Sequence, residues 1–292
     1  MRPLYVDGMK GLGDNIYQRP FVRAAAQRHE VYLATPWPQL YADLPLRFCR
    51  THTHLRTQAR NEDRLPAATW SKPPLGCDAV TLSYGRDELA RGSIVQAIEA
   101  ALPLGDQPFV FNLPAPGPCA LKSRKPVAVI RPATIRAEWR NEARNPDPKH
   151  LAEIAADLRR THHVVLVADL RSDAEWLDGE PPPYDEAFVA GEFSVQQLLA
   201  LIATADVVVG GVGWIVPAAI ALQTRAFIVL GGQGGHNAPE KITDPRMDLS
   251  RIGWARPAAY CRCTDMLHRC DKEIPDLMDQ WKAFATAQGI ER

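Results

Sequence analysis

Apolar residues fall along this chain in short runs separated by longer stretches of helical spacing. Residues 4–6 are such a run, and they lead into a turn holding Gly8, Gly11, Gly13, Asp14 and Asn15. Residues 16–27 then read as a helix. Residues 31–34 are a second apolar run, stopped by Pro36 and Pro38, and residues 44–48 a third. Residues 79–82 read as a further strand, 93–101 as a helix and 109–111 as a short strand. Between them, residues 50–74 lack apolar periodicity and are rich in Arg, His, Thr and Pro, which predicts a long surface loop.

The alternation stops at residues 112–126, which hold four prolines and few apolar side chains. Such composition cannot build a core element and reads as a linker. The pattern restarts at residues 127–130, a continuous apolar strand of the kind covered on both sheet faces. Residues 147–160 carry Leu151, Ile154, Ala155 and Leu158 at the 3- and 4-residue steps of a helix. Strands follow at 164–167, 188–189, 207–209 and 227–230, with helices at 195–204 and 215–222. Pro217 falls in the first turn of the latter, where a missing N–H is harmless. A last helix spans 275–287. Alternation in both halves predicts two doubly wound α/β domains. The expected layout is a Rossmann-like domain over 1–118, a linker over 119–126 and a second Rossmann-like domain over 127–273. A C-terminal helix, 274–292, is expected to brace the first domain.

Composition narrows the classes of function. With 46% hydrophobic and 23% charged residues the chain is an ordinary globular one. Lys+Arg and Asp+Glu both number 34, so no global field gathers a polyanion. That argues against a dedicated nucleic-acid binder, although a local basic groove stays open. No apolar run reaches the length of a membrane span. The N-terminus enters a core strand without the apolar region of a signal peptide, which points to the cytoplasm. Six cysteines are too sparse for a disulfide scaffold.

Several groups of residues carry candidate chemistry. The glycines of the first turn let the backbone bend tightly and approach a ligand. Asp14 or Asn15 suits the N-cap of the helix that follows. A carboxylate there also stands beyond the carboxyl end of a strand, where open α/β sheets bind ligands. The spacing is not G-x-G-x-x-G, so no dinucleotide fingerprint is present. Gly210, Gly211 and Gly213 precede the 215–222 helix, whose first N–H groups suit a diphosphate; they equally suit a plain strand-to-helix turn. Gly231, Gly232, Gly234 and Gly235 surround Gln233 and lead to His236. Such density allows close approach to a sugar or phosphate, or a lid that moves. His236 would bond a sugar hydroxyl or phosphate, or simply face solvent. Cys261, Cys263, His268 and Cys270 could ligate zinc. The C-x-C spacing is weaker than C-x₂-C, and the first reading is a reduced, metal-free cluster. Between Arg47 and Arg64 lie five arginines and two histidines, either a solvated loop or a docking surface for an anionic acceptor.

These pieces together resemble a GT-B glycosyltransferase, and more narrowly glycosyltransferase family 9, typified by ADP-heptose:lipopolysaccharide heptosyltransferases. Gly11-Leu12-Gly13-Asp14 with Pro20 and Arg23 is similar to the family's opening G-D…P…R helix. Arg131-Pro132-Ala133-Thr134 with Arg136, Trp139 and Arg140 stands in the place of its Ser/Thr–Lys–Trp donor segment. Residues 191–198 are similar to its G-x-x-S/T-L-x-E-L run. Residues 209–222 and 227–232 are similar to its small-residue helix and glycine-ended strand.

The resemblance implies two Rossmann-like domains facing across a cleft. Its donor would be a nucleotide-diphosphate sugar and its acceptor a glycan or lipid-linked glycan. It implies no required cofactor and no catalytic metal, and the sequence has no D-x-D pair. By resemblance Asp14 is the general base. Thr134, Arg136 and Arg140 would hold the leaving diphosphate, with Gly210, Gly211, Gly213, Gly231, Gly232 and His236 around the donor. Arg136 and Arg140 also suit a solvated helix start. Gly13, Asn15 and Arg19 would face the acceptor. The family's donor-site Asp and His fall at Gly211 and Val216. That departure suggests one alternative, a non-catalytic nucleotide-sugar or glycan-binding module; two others of the same fold are a sugar-nucleotide epimerase and a transferase acting on modified nucleic-acid bases.

Overall fold

The structure, a computed structural model, describes residues 2–291. The chain forms two compact units. The first runs to Ala115 and regains the chain for Glu240–Met247; the second holds Pro116–Pro239 and the chain from Asp248 onward. The first crossing from one unit to the other lies between Ala115 and Pro116, ahead of residues 119–126.

Unit 1 is a parallel sheet of β1 (Pro3–Asp7), β2 (Glu30–Ala34), β3 (Arg47–Cys49) and β4 (Asp78–Thr81), in the order β3-β2-β1-β4. Leu4 and Val6 alternate with half-exposed neighbours along β1, so one sheet face carries the core. α1 (Leu12–Ala26) packs beside α4 (Ile94–Ala101). Ser93 caps α4, accepting from the Gln96 N–H while the Gln96 side chain accepts from the Ser93 N–H. α2 (Arg56–Arg64) and α3 (Arg86–Arg91) complete the unit.

Three expectations for this half are corrected. The first helix begins at Leu12, not residue 16, and its N-cap is Gly11 rather than Asp14 or Asn15. The 50–74 stretch contains α2, where a loop was expected. It lacks apolar periodicity because polar bonds anchor it. Buried Glu62 accepts from the Thr51 N–H and hydroxyl at 2.7 Å each, and Asn61 donates to the Pro36 carbonyl. Residues 109–111 are not a strand. Phe109 and Phe111 stack on each other at 5.9 Å and sit 6.0 and 6.1 Å from Phe21 and Tyr17 of α1. Here ring packing does what a ladder was expected to do.

Unit 2 is a parallel sheet of β5 (Val127–Arg131), β7 (His163–Val167), β9 (Glu186–Phe188), β10 (Val207–Gly210), β11 (Ala226–Val229) and β12 (Ile252–Ala255). Its order is β12-β11-β10-β5-β7-β9. An antiparallel pair, β6 (Thr134–Arg136) and β8 (Glu175–Leu177), stands beside it. Numbered by chain position the six strands run 3-2-1-4-5-6, the nucleotide-binding doubly wound order, and the winding reverses between β5 and β10. α5 (Pro148–Leu158) inserts Leu151, Ile154 and Leu158 against Ile130, Leu166 and Val209. Burial on both faces accounts for the unbroken apolar runs. α6 (Val195–Thr204) is capped by Ser194, and α7 (Ile215–Leu222) and α8 (Gly234–Asn237) follow β10 and β11.

α9 (Pro239–Ile242) leads into the segment that belongs to unit 1. There Tyr17 donates to the Ile242 carbonyl at 2.7 Å, and Arg246 pairs with Glu99 at 2.7 Å while lying 4.2 Å from the Phe109 ring. Nothing in the pattern of apolar and polar residues signals this excursion. α10 (Leu277–Gln288) was expected to brace the first domain; it belongs to unit 2. Trp281 is wholly buried there, donates to Asp157 Oδ2 at 2.9 Å and meets Phe227 edge-on at 5.4 Å. Among the described residues no helix is long and apolar enough to cross a membrane.

Candidate functional site

In unit 1 the sheet order reverses between β1 and β4, which end side by side at Asp7 and Thr81. The turn after β1 enters α1, and Asp14 lies in the first helical turn, where the helix N-terminus favours negative charge. The carboxylate folds back over Gly11: a Cβ at that position would collide with Asp14 Oδ2. Only glycine leaves the carboxylate this place. From beyond β4, Tyr84 donates its hydroxyl to Asp14 Oδ1 at 2.7 Å. Groups from both strands at the switch point thus meet on one carboxylate. Tyr84 was not singled out from sequence; its only signal is that it follows β4 by a few residues. Burial and the nearby Asp14 charge both raise the Tyr17 pKa, so that phenol stays neutral.

The other expected acceptor residues divide. Gly13 is half-buried in the first turn. Asn15 and Arg19 are wholly buried and face the interior, which corrects their assignment to an acceptor. The Asn15 amide donates to the Met9 and Gly11 carbonyls, and its oxygen accepts from Thr35 at 2.6 Å and Gln18 at 3.0 Å. Arg19 donates to the Asn112 and Leu40 carbonyls and pairs with Asp43 at 2.6 Å. Asn15 thus fixes the turn that carries Asp14, and Arg19 ties α1 to Leu40, Asp43 and Asn112. In the basic stretch, Arg50 pairs with Asp63 at 3.0 Å and lies over the Trp70 ring, which ties it into the fold.

In unit 2 the switch point places Arg131, the last residue of β5, in register with Gly210, the last residue of β10. Arg131, Thr134 and Arg136 converge on Glu175 of β8, which is 1% exposed. Glu175 Oε1 accepts from Thr134 at 2.8 Å and Arg131 at 3.1 Å, and Oε2 accepts from Arg136 Nε at 2.7 Å. Burial alone would raise the Glu175 pKa, but the two guanidiniums outweigh it and hold the carboxyl below its ordinary value. Burial also pulls the Arg131 pKa down, opposed by Glu175. Sequence reasoning missed Glu175 because β8 is three residues long and carries no periodic signal. The available hint was that two arginines and a threonine at one strand end need a counter-charge. Arg140 does not join them: it is exposed and pairs with Glu142.

The glycines behave differently from one another. A Cβ at Gly211 would press on Pro146 at 2.8 Å, and Val216 is wholly buried in α7. The two positions where the resemblance expects an acid and a histidine therefore have no room for an acid and no outlet for a histidine. At Gly213, by contrast, a Cβ would meet nothing within 4 Å. Gly231 and Gly232, expected beside a donor, are closed by the chain itself: their missing Cβ atoms face the Asn145 and Arg144 carbonyls and Cys270. Gly234 and Gly235 are closed likewise, by Tyr260 and the Cys261 to Thr264 stretch. His236 is half-buried in α8.

Cys261, Cys263, His268 and Cys270 come together, with one ligand atom from each lying within 4.8 Å of all the others. Sγ of Cys261 is 3.5 Å from His268 Nδ1, which is 3.3 Å from Cys270 Sγ, and Cys263 Sγ is 3.6 Å from Cys270 Sγ. None of the cysteines is in a disulfide. Among the described residues, these four could hold a metal.

No protein-family model matches the chain, and no curated protein matches it in sequence. Solved structures do match in fold. The ADP-heptose lipopolysaccharide heptosyltransferase II of E. coli superposes with a TM-score of 0.59 at 15% identity, over 99% of this chain and 100% of that one. TibC, described as a dodecameric iron-containing heptosyltransferase in complex with ADP-D-beta-D-heptose, gives 0.67 at 12% identity, over 99% and 79%. A family 9 glycosyl transferase of Veillonella parvula gives 0.59 at 10% identity, over 99% and 98%. The chain therefore has the fold of these glycosyltransferases, two Rossmann-like α/β units of GT-B type, and the resemblance drawn from the motifs is met at the level of the fold.

Proposed function

We propose that the protein transfers a sugar from a nucleotide-diphosphate donor to a hydroxyl of a glycan-type acceptor. The observation that carries this reading is the switch point of unit 2. There a glycine turn opens onto the N-terminus of α7, and Arg136 is held in place by buried Glu175. A helix N-terminus offers backbone N–H groups to phosphate oxygens, and arginine adds a delocalised positive charge as the glycosidic bond to the diphosphate breaks. Thr134 and Arg131 keep Glu175 and Arg136 in register. Asp14 accepts the proton of the acceptor hydroxyl, and Tyr84 orients its carboxylate. Two of the proteins of similar fold, the E. coli heptosyltransferase II and TibC, carry ADP-heptose in their names or descriptions; the base and sugar of this chain's donor are left as the class, a nucleoside diphosphate sugar.

Hydrolysis of and transfer from a panel of nucleotide sugars, with native protein and Asp14→Ala, tests the reading. Native protein is expected to turn over at least one donor, and the variant to lose at least about a hundredfold in rate. An unchanged rate removes Asp14 from the mechanism. A second reading, a non-catalytic binder of nucleotide sugars, is favoured by the closed Gly211 and buried Val216. Donor binding without turnover on any acceptor would select it.

A further inference from the structure

The thiol cluster of unit 2 is fastened to the 231–235 turn and to the 139–145 segment, and Asn145 of that segment donates its amide to the Thr134 carbonyl of the proposed donor end at 2.9 Å. Residues 258–273 form a closed loop, joined at its base by the Ala258 N–H to the Glu273 carbonyl at 2.9 Å. On one side the Gly234 and Gly235 N–H groups donate to the Cys261 and Cys263 carbonyls at 2.8 and 3.0 Å, and Gly232 abuts Cys270. On the other side the Ala143 N–H donates to the Met266 carbonyl at 2.9 Å, and Lys272 Nζ donates to the Glu142 carbonyl at 2.9 Å. Between the two lies Gln233, buried at 1% exposure and held in the left-handed region at φ 54. Its side-chain oxygen accepts from Asn141 at 2.9 Å and its amide donates to the Thr264 carbonyl at 3.3 Å. A non-glycine residue persists in that conformation only where its surroundings over-determine it.

The donor set fits a metal. Zn–S and Zn–N bonds of about 2.3 and 2.05 Å at tetrahedral angles give ligand-to-ligand edges of about 3.6–3.8 Å. Three of the six edges, at 3.3, 3.5 and 3.6 Å, lie at or just under that range, and all six are within 4.8 Å, in a set of three thiols and one imidazole. The Cys263–Cys270 separation is far longer than a disulfide bond.

We propose that Cys261, Cys263, His268 and Cys270 bind one thiophilic divalent ion, zinc or ferrous iron. That ion clasps the 258–273 loop onto the glycine turn at 231–235 and the 139–145 segment, so its occupancy sets the shape of the donor end. Binding engages three thiolates and a neutral imidazole, and the thiol protons leave to solvent. The glycine density at 231–235 follows from this: the turn is built for contact with the clasp loop on one side and the 143–145 backbone on the other. The link to the donor end rests on the function proposed above; the clasp itself does not.

The test uses the full-length protein, purified in the absence of oxygen. Elemental analysis is expected to find about one equivalent of zinc or iron per chain, and which element is present decides between the two. Hydrogen exchange is then compared before and after chelation, and with His268→Ala. On metal loss, exchange at residues 139–145 and 231–237 is expected to rise at least about tenfold, while β5, β10 and unit 1 stay unchanged. Refilling with the ion should restore protection. Protein that holds no metal and takes up neither ion overturns the proposal. Metal loss that loosens only residues 258–273 also overturns it, because the clasp would then hold nothing but itself. Should exchange respond while the loaded protein binds no nucleoside diphosphate, the clasp stands and the transferase reading falls.

Discussion

Two glycine-rich turns follow the neighbouring strands β10 and β11 of one sheet, and a single glycine, Gly213, sets them apart. After β11, the missing Cβ atoms of Gly231, Gly232, Gly234 and Gly235 are each replaced by atoms of the chain itself. After β10, Gly210 and Gly211 also abut the chain, but Gly213 opens onto unfilled space just before α7. Both turns look alike as letters, and the denser one is the poorer candidate for a ligand. Glycine marks a close approach of backbone to something, and the neighbours decide whether that is a ligand or another loop.

The largest test of this contrast lies at the polar end beside the β10 turn. Glu175→Ala would leave half-buried Arg131 without its carboxylate, and breaking a buried pair from one side costs up to about 3–5 kcal/mol. Chemical denaturation should show that loss, and an effect under 1 kcal/mol would mean the network does not order this end. Next in size, Gly231→Ala drives a methyl into the Asn145 carbonyl, an overpacking that costs about 1–3 kcal/mol. A melting temperature equal to native would show that the turn yields freely.

The pH dependence is smaller and its sign is fixed. Glu175 is held below the ordinary carboxyl value when folded, so its contribution is full above the unfolded pKa. It is lost as pH falls through the depressed folded value. Native protein should therefore lose stability toward acid more steeply than Glu175→Gln; equal acid profiles would contradict the ion network. Smallest of all, Gly213→Val should change stability by no more than about 0.5 kcal/mol, because its side chain enters open space. A loss like that of Gly231→Ala would erase the distinction between the turns.

The elements that were legible in the sequence are those with strong periodicity. β5, β7, β10, β11, α5, α6 and α7 fall where apolar runs and helical spacing put them. Polar or short elements were hidden. α2 is held by Glu62 and Asn61, not by an apolar face, and β6 and β8 have three residues each. At the site, the Asp14 turn and the Arg131 to Arg136 strand end were visible because their residue types carry chemistry. Tyr84 and Glu175 were not, because each completes its site from a distant part of the chain and only the sheet order brings it there. The Cys261 to Cys270 cluster was visible as letters, but its C-x-C spacing understated how closely the loop gathers four ligands.

On the function proposed, unit 2 grips a nucleoside diphosphate at the switch point between β5 and β10. Titration calorimetry of nucleoside diphosphates into native protein and Gly213→Val tests it most directly. Native protein should bind at least one of them, and the variant, equally stable, should bind it at least about tenfold more weakly, a difference of about 1.4 kcal/mol. Equal affinity in the two proteins, or no binding to native protein by any nucleoside diphosphate, would contradict it.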